Sequence, residues 1–248
     1  MFKTLINKFL DTLFPNDAVC LFCGRELRAD ARFGLCVGCL LSLPYVTDDI
    51  KVCACCGKPS YNEAEFCLEC QNHKRAFERV NSPLIYTGRA VTLVEDLKFY
   101  NKKYIARIFA ELIATEYLRR EYHTDLIVPV PMYSESEKER GYNQSALIAE
   151  LLAKLLGIEF ADGVLVKKVK TAHQMLLGGQ ERHKNLIGAF AVAEPSKVKG
   201  KTVLVIDDVI TTGATLNECA IALKKAKASE VFGLTACATE YRLQKELK

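Results

Sequence analysis

Val203-Leu-Val-Ile-Asp-Asp-Val-Ile-Thr-Thr-Gly-Ala-Thr-Leu216 is the segment on which the reading of this chain rests. An apolar run, Thr202–Ile206, has the look of a buried strand. It is followed by two acids, a hydroxyl-rich turn and a helix expected over Ala214–Ala226. Open α/β sheets take their ligands at the carboxyl ends of strands, so this turn stands where a site belongs. Gly213 lets the backbone approach an anion closely. The amides of the turn and of the helix start at Ala214 form a cradle for phosphate, and Thr211, Thr212 and Thr215 add hydroxyl donors. Asp207 and Asp208 repel a phosphate. They suit sugar hydroxyls, or a metal that holds those hydroxyls. A phosphate beside a polyol is a phosphorylated ribose. The bland alternative is that the acids cap the helix and the threonines only shape a turn.

Outward from this segment, strands and helices alternate. Leu84–Tyr86 reads as a strand end, and Val91–Lys98 and Ile105–Arg120 have helical spacing. Leu126–Pro131 reads as a buried strand followed by a polar loop, and Ser145–Leu156 as a helix. Val164–Val169 and Phe190–Val192 are short strands, and Val231–Ala238 closes the chain as another. Such alternation predicts an α/β domain over residues 76–248, a mostly parallel sheet flanked by helices.

The first third differs. Of eleven cysteines, nine lie between Cys20 and Cys70. Cys20-x2-Cys23 with Cys36-x2-Cys39 makes one quartet, and Cys53-x2-Cys56 with Cys67-x2-Cys70 another. Paired thiolates of this kind are the recipe for structural tetrahedral Zn²⁺, one ion or two. Sequential pairing and a cross-braced arrangement are both open. Cys55 is the spare thiol, and Cys219 and Cys237 read as small core hydrophobes. Residues 16–75 are therefore expected to form a double zinc-ribbon module whose folding depends on metal. Ahead of it, Phe2, Leu5, Ile6, Phe9, Leu10 and Leu13 form the stripe of an amphipathic helix over residues 1–15, stopped by Pro15. Lys3, Lys8 and Asp11 leave no signal-peptide core there, and no transmembrane segment is expected. Paired cysteines without a leader point to a cytoplasmic protein. The net charge of +4 is mild and does not by itself indicate nucleic acid.

The fourteen residues from Val203 to Leu216 resemble the phosphoribosyl pyrophosphate (PRPP) motif of type I phosphoribosyltransferases. Val128-Pro-Val-Pro131 with Arg140-Gly-Tyr-Asn-Gln144 narrows the resemblance to the ComF family of competence-associated, phosphoribosyltransferase-like proteins. Thr171, Gln174, Leu177, Arg182, Asn185, Ala189 and Phe190 fit a further signature of that family, and Leu97-Lys98-Phe99 a weaker one. With the cysteine module, the resemblance covers nearly the whole chain. It implies a type I phosphoribosyltransferase-like fold, PRPP as ligand, and Mg²⁺ bridging pyrophosphate and ribose oxygens. It also implies a link to natural competence and DNA uptake. The 5′-phosphate then belongs to Thr211–Thr215 and the ribose hydroxyls to Asp207 and Asp208. The pyrophosphate faces the loop ending in Lys138 and Arg140, where Glu135, Glu137 and Glu139 are tolerable only if they point outward. Residues Thr171–Gln180 are a candidate lid. Arg182 reaches either a phosphate or an exposed acid, and His173 and His183 read as surface residues.

No catalytic acid or base can be named, so the acceptor of the phosphoribosyl group stays open. Two classes of function remain: a phosphoribosyltransferase, or an accessory protein that binds single-stranded DNA, works with competence or DNA-processing proteins, and uses the pocket as a ligand sensor. For the second, Lys74, Arg75 and Arg79 lie near Phe77, and Lys98, Lys102, Lys103 and Arg107 interleave with Phe99, Tyr100 and Tyr104. Basic residues among aromatics can track a strand by charge and stacking. The competing reading is a solvated helix face beside a core.

Overall fold

The computed structural model describes residues 19–27, 31–60, 64–168 and 186–240. The helix expected over residues 1–15 and the candidate lid at 171–180 lie outside them, as do Arg182, His173, His183 and most of the third signature. The chain divides into two compact units, Met1–Leu43 and Pro44–Lys248. The division falls between the two cysteine quartets, not after residue 75 where composition changes.

In the first unit, the Cys20 amide donates to the Arg25 carbonyl and the Gly24 amide to the Cys20 carbonyl, closing a tight knuckle. The second cysteine pair is carried by α1 (Val37–Leu41), with Cys36 at its N-cap and Cys39 buried within it.

The second unit repeats the device. The Cys53 amide donates to Lys58 and the Gly57 amide to Cys53, and Cys67 is the N-cap of α2 (Leu68–Asn72). The chain then forms β1 (Arg79–Asn81), β2 (Leu84–Ile85), α3 (Gly88–Phe99) and α4 (Ile105–Arg119). Next come β3 (Leu126–Pro129), α5 (Ser134–Arg140), α6 (Gln144–Leu156), β4 (Glu159–Phe160), β5 (Leu165–Lys167) and β6 (Phe190–Val192). The unit ends with β7 (Thr202–Ile210), α7 (Ala214–Lys225) and β8 (Glu230–Ala238).

The main sheet has the order β1-β8-β7-β3-β4, with β2 also on β8. Every pairing in it is parallel, and β5 pairs β6 antiparallel in a separate ribbon. Parallel strands need helices on their faces, which explains why β3 is buried along its whole length and reads as an unbroken apolar run. Helix α4 turns the stripe Ile105, Ile108, Phe109, Leu112 and Ile113 inward. Helix α6 starts at Asn143, whose side chain accepts from the Ser145 and Ala146 amides. Among the described residues no helix is long and apolar enough to cross a membrane.

Two differences from the sequence reading bear on the site. Strand β7 does not stop at Ile206. It runs on to Ile210 because β8 is equally long, with Val209 and Ile210 in register with Cys237 and Ala238. The two acids therefore sit inside the strand. Residues Ser134–Arg140 form a helix where a polar loop was expected. No residue of that helix is buried, so no apolar period betrays it. Glu135 and Glu137 occupy its first turn, Lys138 and Arg140 its last, and Gly141 ends it with φ +85.

The second quartet is built into this unit. Cys53, Cys56 and Cys67 share one core cluster with Phe77, Val80, Ala214 and Leu216. The Val80 amide of β1 donates to the Cys55 carbonyl at 2.9 Å.

Candidate functional site

Strand β7, the turn after it and the start of α7 carry the acids and the loop together. Gly213 adopts φ +75 and caps α7, a left-handed conformation that glycine takes without strain. The first amides of a helix have no intrahelical acceptor, which makes a helix start of this kind a place for an anion. Thr212 folds its hydroxyl back to accept from the Ala214 amide at 3.3 Å. Thr211, Thr212 and Thr215 are half-buried, while Gly213 and Ala214 are buried.

Asp207 accepts a hydrogen bond from the Ser145 hydroxyl, at the start of α6, at 2.9 Å. The same oxygen accepts from the Asp208 amide at 2.9 Å. Asp208 is 4% exposed. One of its oxygens meets Lys98 Nζ at 2.8 Å; the other, Oδ2, is buried with no partner. An orphaned buried acceptor is expensive, and a sugar hydroxyl or a metal-bound water would satisfy it.

The charges are tightly coupled. Burial, then the Asp208 charge, push the Asp207 carboxyl up to about 7, against the pull of Lys98 and the Ser145 hydroxyl. Burial alone would lower Lys98, but the Asp208 charge and hydrogen bond, then the Asp207 charge, outweigh it and hold the ammonium above its usual value.

Lys98 was legible only as part of a weak signature and a basic stripe. The structure makes it the counter-ion of the acid pair. The next residue, Phe99, is 55% exposed, and the Arg140 guanidinium lies over its ring at 5.5 Å. Arg140 also donates to Gln144 Oε1 at 2.5 Å. Lys138 is exposed on α5, as are Glu135, Glu137 and Glu139.

The remaining cations of the basic stripe are largely engaged. Lys102 pairs with Asp96 at 2.9 Å and Arg107 with Glu111 at 2.7 Å. Arg79 lies over the Tyr122 ring at 4.8 Å, and Lys103 over Tyr142 at 4.8 Å. The Arg75 side chain is only 2% exposed. Tyr100 stays open, at 67%.

The cysteines group sequentially, not in a cross-brace: Cys20, Cys23, Cys36 and Cys39 in one cluster, Cys53, Cys56, Cys67 and Cys70 in the other. Within each, the four sulfurs lie within 4.8 Å of one another. Cys23 and Cys36 approach to 3.7 Å, and Cys56 and Cys67 to 3.6 Å. Four thiolates at about 2.3 Å from one Zn²⁺ stand about 3.8 Å apart, so the donors fit that ion. Amides point at sulfur too, Cys36 N to Cys20 Sγ at 3.4 Å and Cys67 N to Cys53 Sγ at 3.3 Å. Thiols so crowded cannot all ionise alone. Hydrogen bonds from Cys56, Cys67 and Cys70 drive Cys53 down while Cys53 and the same neighbours drive Cys56 up. A divalent cation resolves that conflict. All eleven cysteines are unbridged, and the two clusters support structural zinc.

Comparison with known proteins agrees with both halves. The phosphoribosyl transferase domain family matches residues 141–247, and the double zinc ribbon domain family matches residues 9–71. "Competence protein F" of Haemophilus influenzae is 32% identical over 222 residues, 86% of this chain and 93% of the relative. "DNA utilization protein YhgH" of Salmonella typhimurium is 32% identical over 226 residues, 89% of this chain and 97% of the relative. "Competence protein ComFC" of Bacillus subtilis is 26% identical over 241 residues, covering 88% and 93%. A parallel α/β sheet of type I phosphoribosyltransferase kind, two four-cysteine clusters and relatives that match nearly end to end make this chain a member of the competence protein F (ComF) family.

Proposed function

We propose that the chain binds PRPP with Mg²⁺ on the β7–α7 segment and transfers its phosphoribosyl group to an acceptor yet to be identified. The observation that carries this reading is one juxtaposition. A glycine turn with φ +75 opens a helix beside two carboxylates, one of which keeps a buried oxygen without a partner. The 5′-phosphate sits on the amides and hydroxyls of Thr211, Thr212, Gly213, Ala214 and Thr215. The ribose hydroxyls go to Asp207 and Asp208. Lys138 and Arg140 face the pyrophosphate from α5.

When bound, Mg²⁺ would lie near Asp207 and Asp208, where Asp208 Oδ2 is unpartnered, and would supply charge neutralisation for the leaving pyrophosphate. The residues do the rest. Displacement at the anomeric carbon needs the ribose fixed and the departing charge met by preorganised donors, not covalent help. Lys98 balances the acid pair before any ligand arrives, so two adjacent acids can stand in one strand.

The relatives' names support a role in competence and DNA use, which we place in the cytoplasm. Exposed Phe99 and Tyr100 at the edge of the site favour a second reading, an accessory factor that stacks single-stranded DNA there. It is the weaker one, since most neighbouring cations are already paired.

Thermal melting with ligands tests the first reading. PRPP with Mg²⁺ raises the melting temperature, ribose 5-phosphate raises it less, and omission of Mg²⁺ reduces the PRPP effect. No shift at millimolar PRPP overturns the proposal. DNA affinity that falls steeply with salt and is unaffected by PRPP favours the second reading instead.

A further inference from the structure

Arg75 follows the last cysteine of the second cluster by five residues and reaches into the phosphate turn. Its Nη2 donates to the Thr212 carbonyl at 2.9 Å. A methyl group built on Gly213 would stand 3.9 Å from the guanidinium. The next residue is tied down too, since the Ala76 amide donates to Asn217 Oδ1 on the first turn of α7 at 2.9 Å. On the other side, Glu69, between two metal-binding cysteines, approaches the same guanidinium at 3.7 Å. The side chain is 2% exposed, yet Nε and Nη1 have no hydrogen-bond partner.

A buried arginine with two unsatisfied nitrogens is a poor way to stabilise a fold. An apolar side chain of similar volume is often as good or better. Its value lies in what it holds. In a trans peptide the C=O and the following N–H point in opposite directions. With the Thr212 carbonyl drawn onto Arg75, the Gly213 N–H is turned away from Arg75. The peptide next to a glycine is also the one most free to flip. Flipped, it would present a carbonyl oxygen to a phosphate.

We infer that Arg75 is a positioning residue of the phosphate turn: it locks the Thr212–Gly213 peptide in its anion-binding orientation and thereby ties the second cysteine cluster to the ligand site. This deepens the PRPP reading and rests on it for the identity of the anion, though the lock itself does not.

The test uses the full chain with Arg75→Met and Arg75→Lys. Methionine keeps the buried volume and removes the donor, while lysine keeps a charge and a donor. The readouts are amide hydrogen exchange across 212–216, the melting temperature, and affinity for PRPP with Mg²⁺. For Arg75→Met we expect a melting temperature close to wild type, exchange at 212–216 at least tenfold faster, unchanged exchange in 203–206, and PRPP affinity at least tenfold weaker. Arg75→Lys recovers part of both losses. Wild-type exchange and affinity in Arg75→Met overturn the inference. So does faster exchange throughout the sheet, which would make Arg75 a packing residue only. If wild-type protein binds no PRPP, the functional proposal fails by itself, and the exchange rates at 212–216 still decide whether the lock exists.

Discussion

Replacing Lys98 by methionine removes the one cation among the described residues that touches the acid pair, while keeping most of the side-chain volume. Asp208 is left 4% exposed, with its Oδ1 stripped of a partner at 2.8 Å and its Oδ2 already orphaned. Breaking a buried pair by removing one member costs about 3–5 kcal/mol, because the other charge stays behind. The Lys98 side chain is 23% exposed, so solvent relieves part of this, and about 3 kcal/mol is expected at pH 8. The loss depends on pH in a defined direction. Asp207, held at about 7 by burial and by Asp208, is ionised at pH 8 and protonated at pH 5. At pH 5 the pair carries less charge and has less need of a cation. Urea unfolding followed by circular dichroism reads both values. The loss at pH 5 should be smaller by at least about 1 kcal/mol. A loss below about 0.5 kcal/mol at pH 8, or an equal loss at the two pH values, refutes the reasoning that Lys98 is the counter-ion of the two carboxylates.

Asp207→Asn should flatten the pH dependence of stability. A carboxyl raised from 3.8 to about 7 in the folded state favours folding while protonated, so wild-type stability falls as pH rises between these values. Melting temperatures from pH 5 to pH 8 should decline more for wild type than for the variant, and parallel curves would count against the shift. The equivalent knuckle glycines should respond unequally. At Gly57 (φ +66) a Cβ would lie 2.3 Å from the Val80 carbonyl oxygen, whereas at Gly24 (φ +69) it meets nothing within 4 Å. Gly24→Ala should cost about 1 kcal/mol from backbone conformation alone, and Gly57→Ala at least about 3 kcal/mol by pushing the knuckle off β1. Equal effects in a chemical denaturation series would show that the second knuckle is not docked there. The cysteine pairs should also separate. Cys53→Ser/Cys56→Ser lowers the melting temperature of the Pro44–Lys248 unit along with its zinc content, because these sulfurs share its core cluster. Cys20→Ser/Cys23→Ser loses zinc but leaves that transition in place. A reversed order in calorimetry and metal analysis contradicts the assignment.

Much of this was legible in the residues. The apolar run Val203–Ile206, the helix stripe from Ile105 to Ile113 and the spacing of the cysteine pairs each carry a local signal that no tertiary contact needs to complete. Residues Ser134–Arg140 were misread because a helix with no buried face has no apolar period. The length of β7 was underestimated because Asp207 and Asp208 look like a strand's end, whereas β8 supplies partners out to Ile210. Lys98 and Arg75 are the instructive cases. Both sit among aromatics and other cations, a pattern that suggests a solvated or nucleic-acid-binding face. Only the fold brings one of them onto Asp208 and the other, over a separation of 137 residues, onto Thr212. Contacts of that range leave no trace in spacing. The border between the compact units was hidden for the same reason: Cys53 and Cys56 look like Cys20 and Cys23 in sequence, but only the former are buried in a core that includes α7.

Titration calorimetry with PRPP and Mg²⁺, on wild type and on Asp207→Ala/Asp208→Ala, bears most directly on the proposed activity. Saturable binding in wild type and none in the double variant, with both proteins folded, is the expected result. Equal heats from both proteins, or none from wild type, would mean that the β7–α7 segment has kept the shape of a phosphoribosyl site without its ligand.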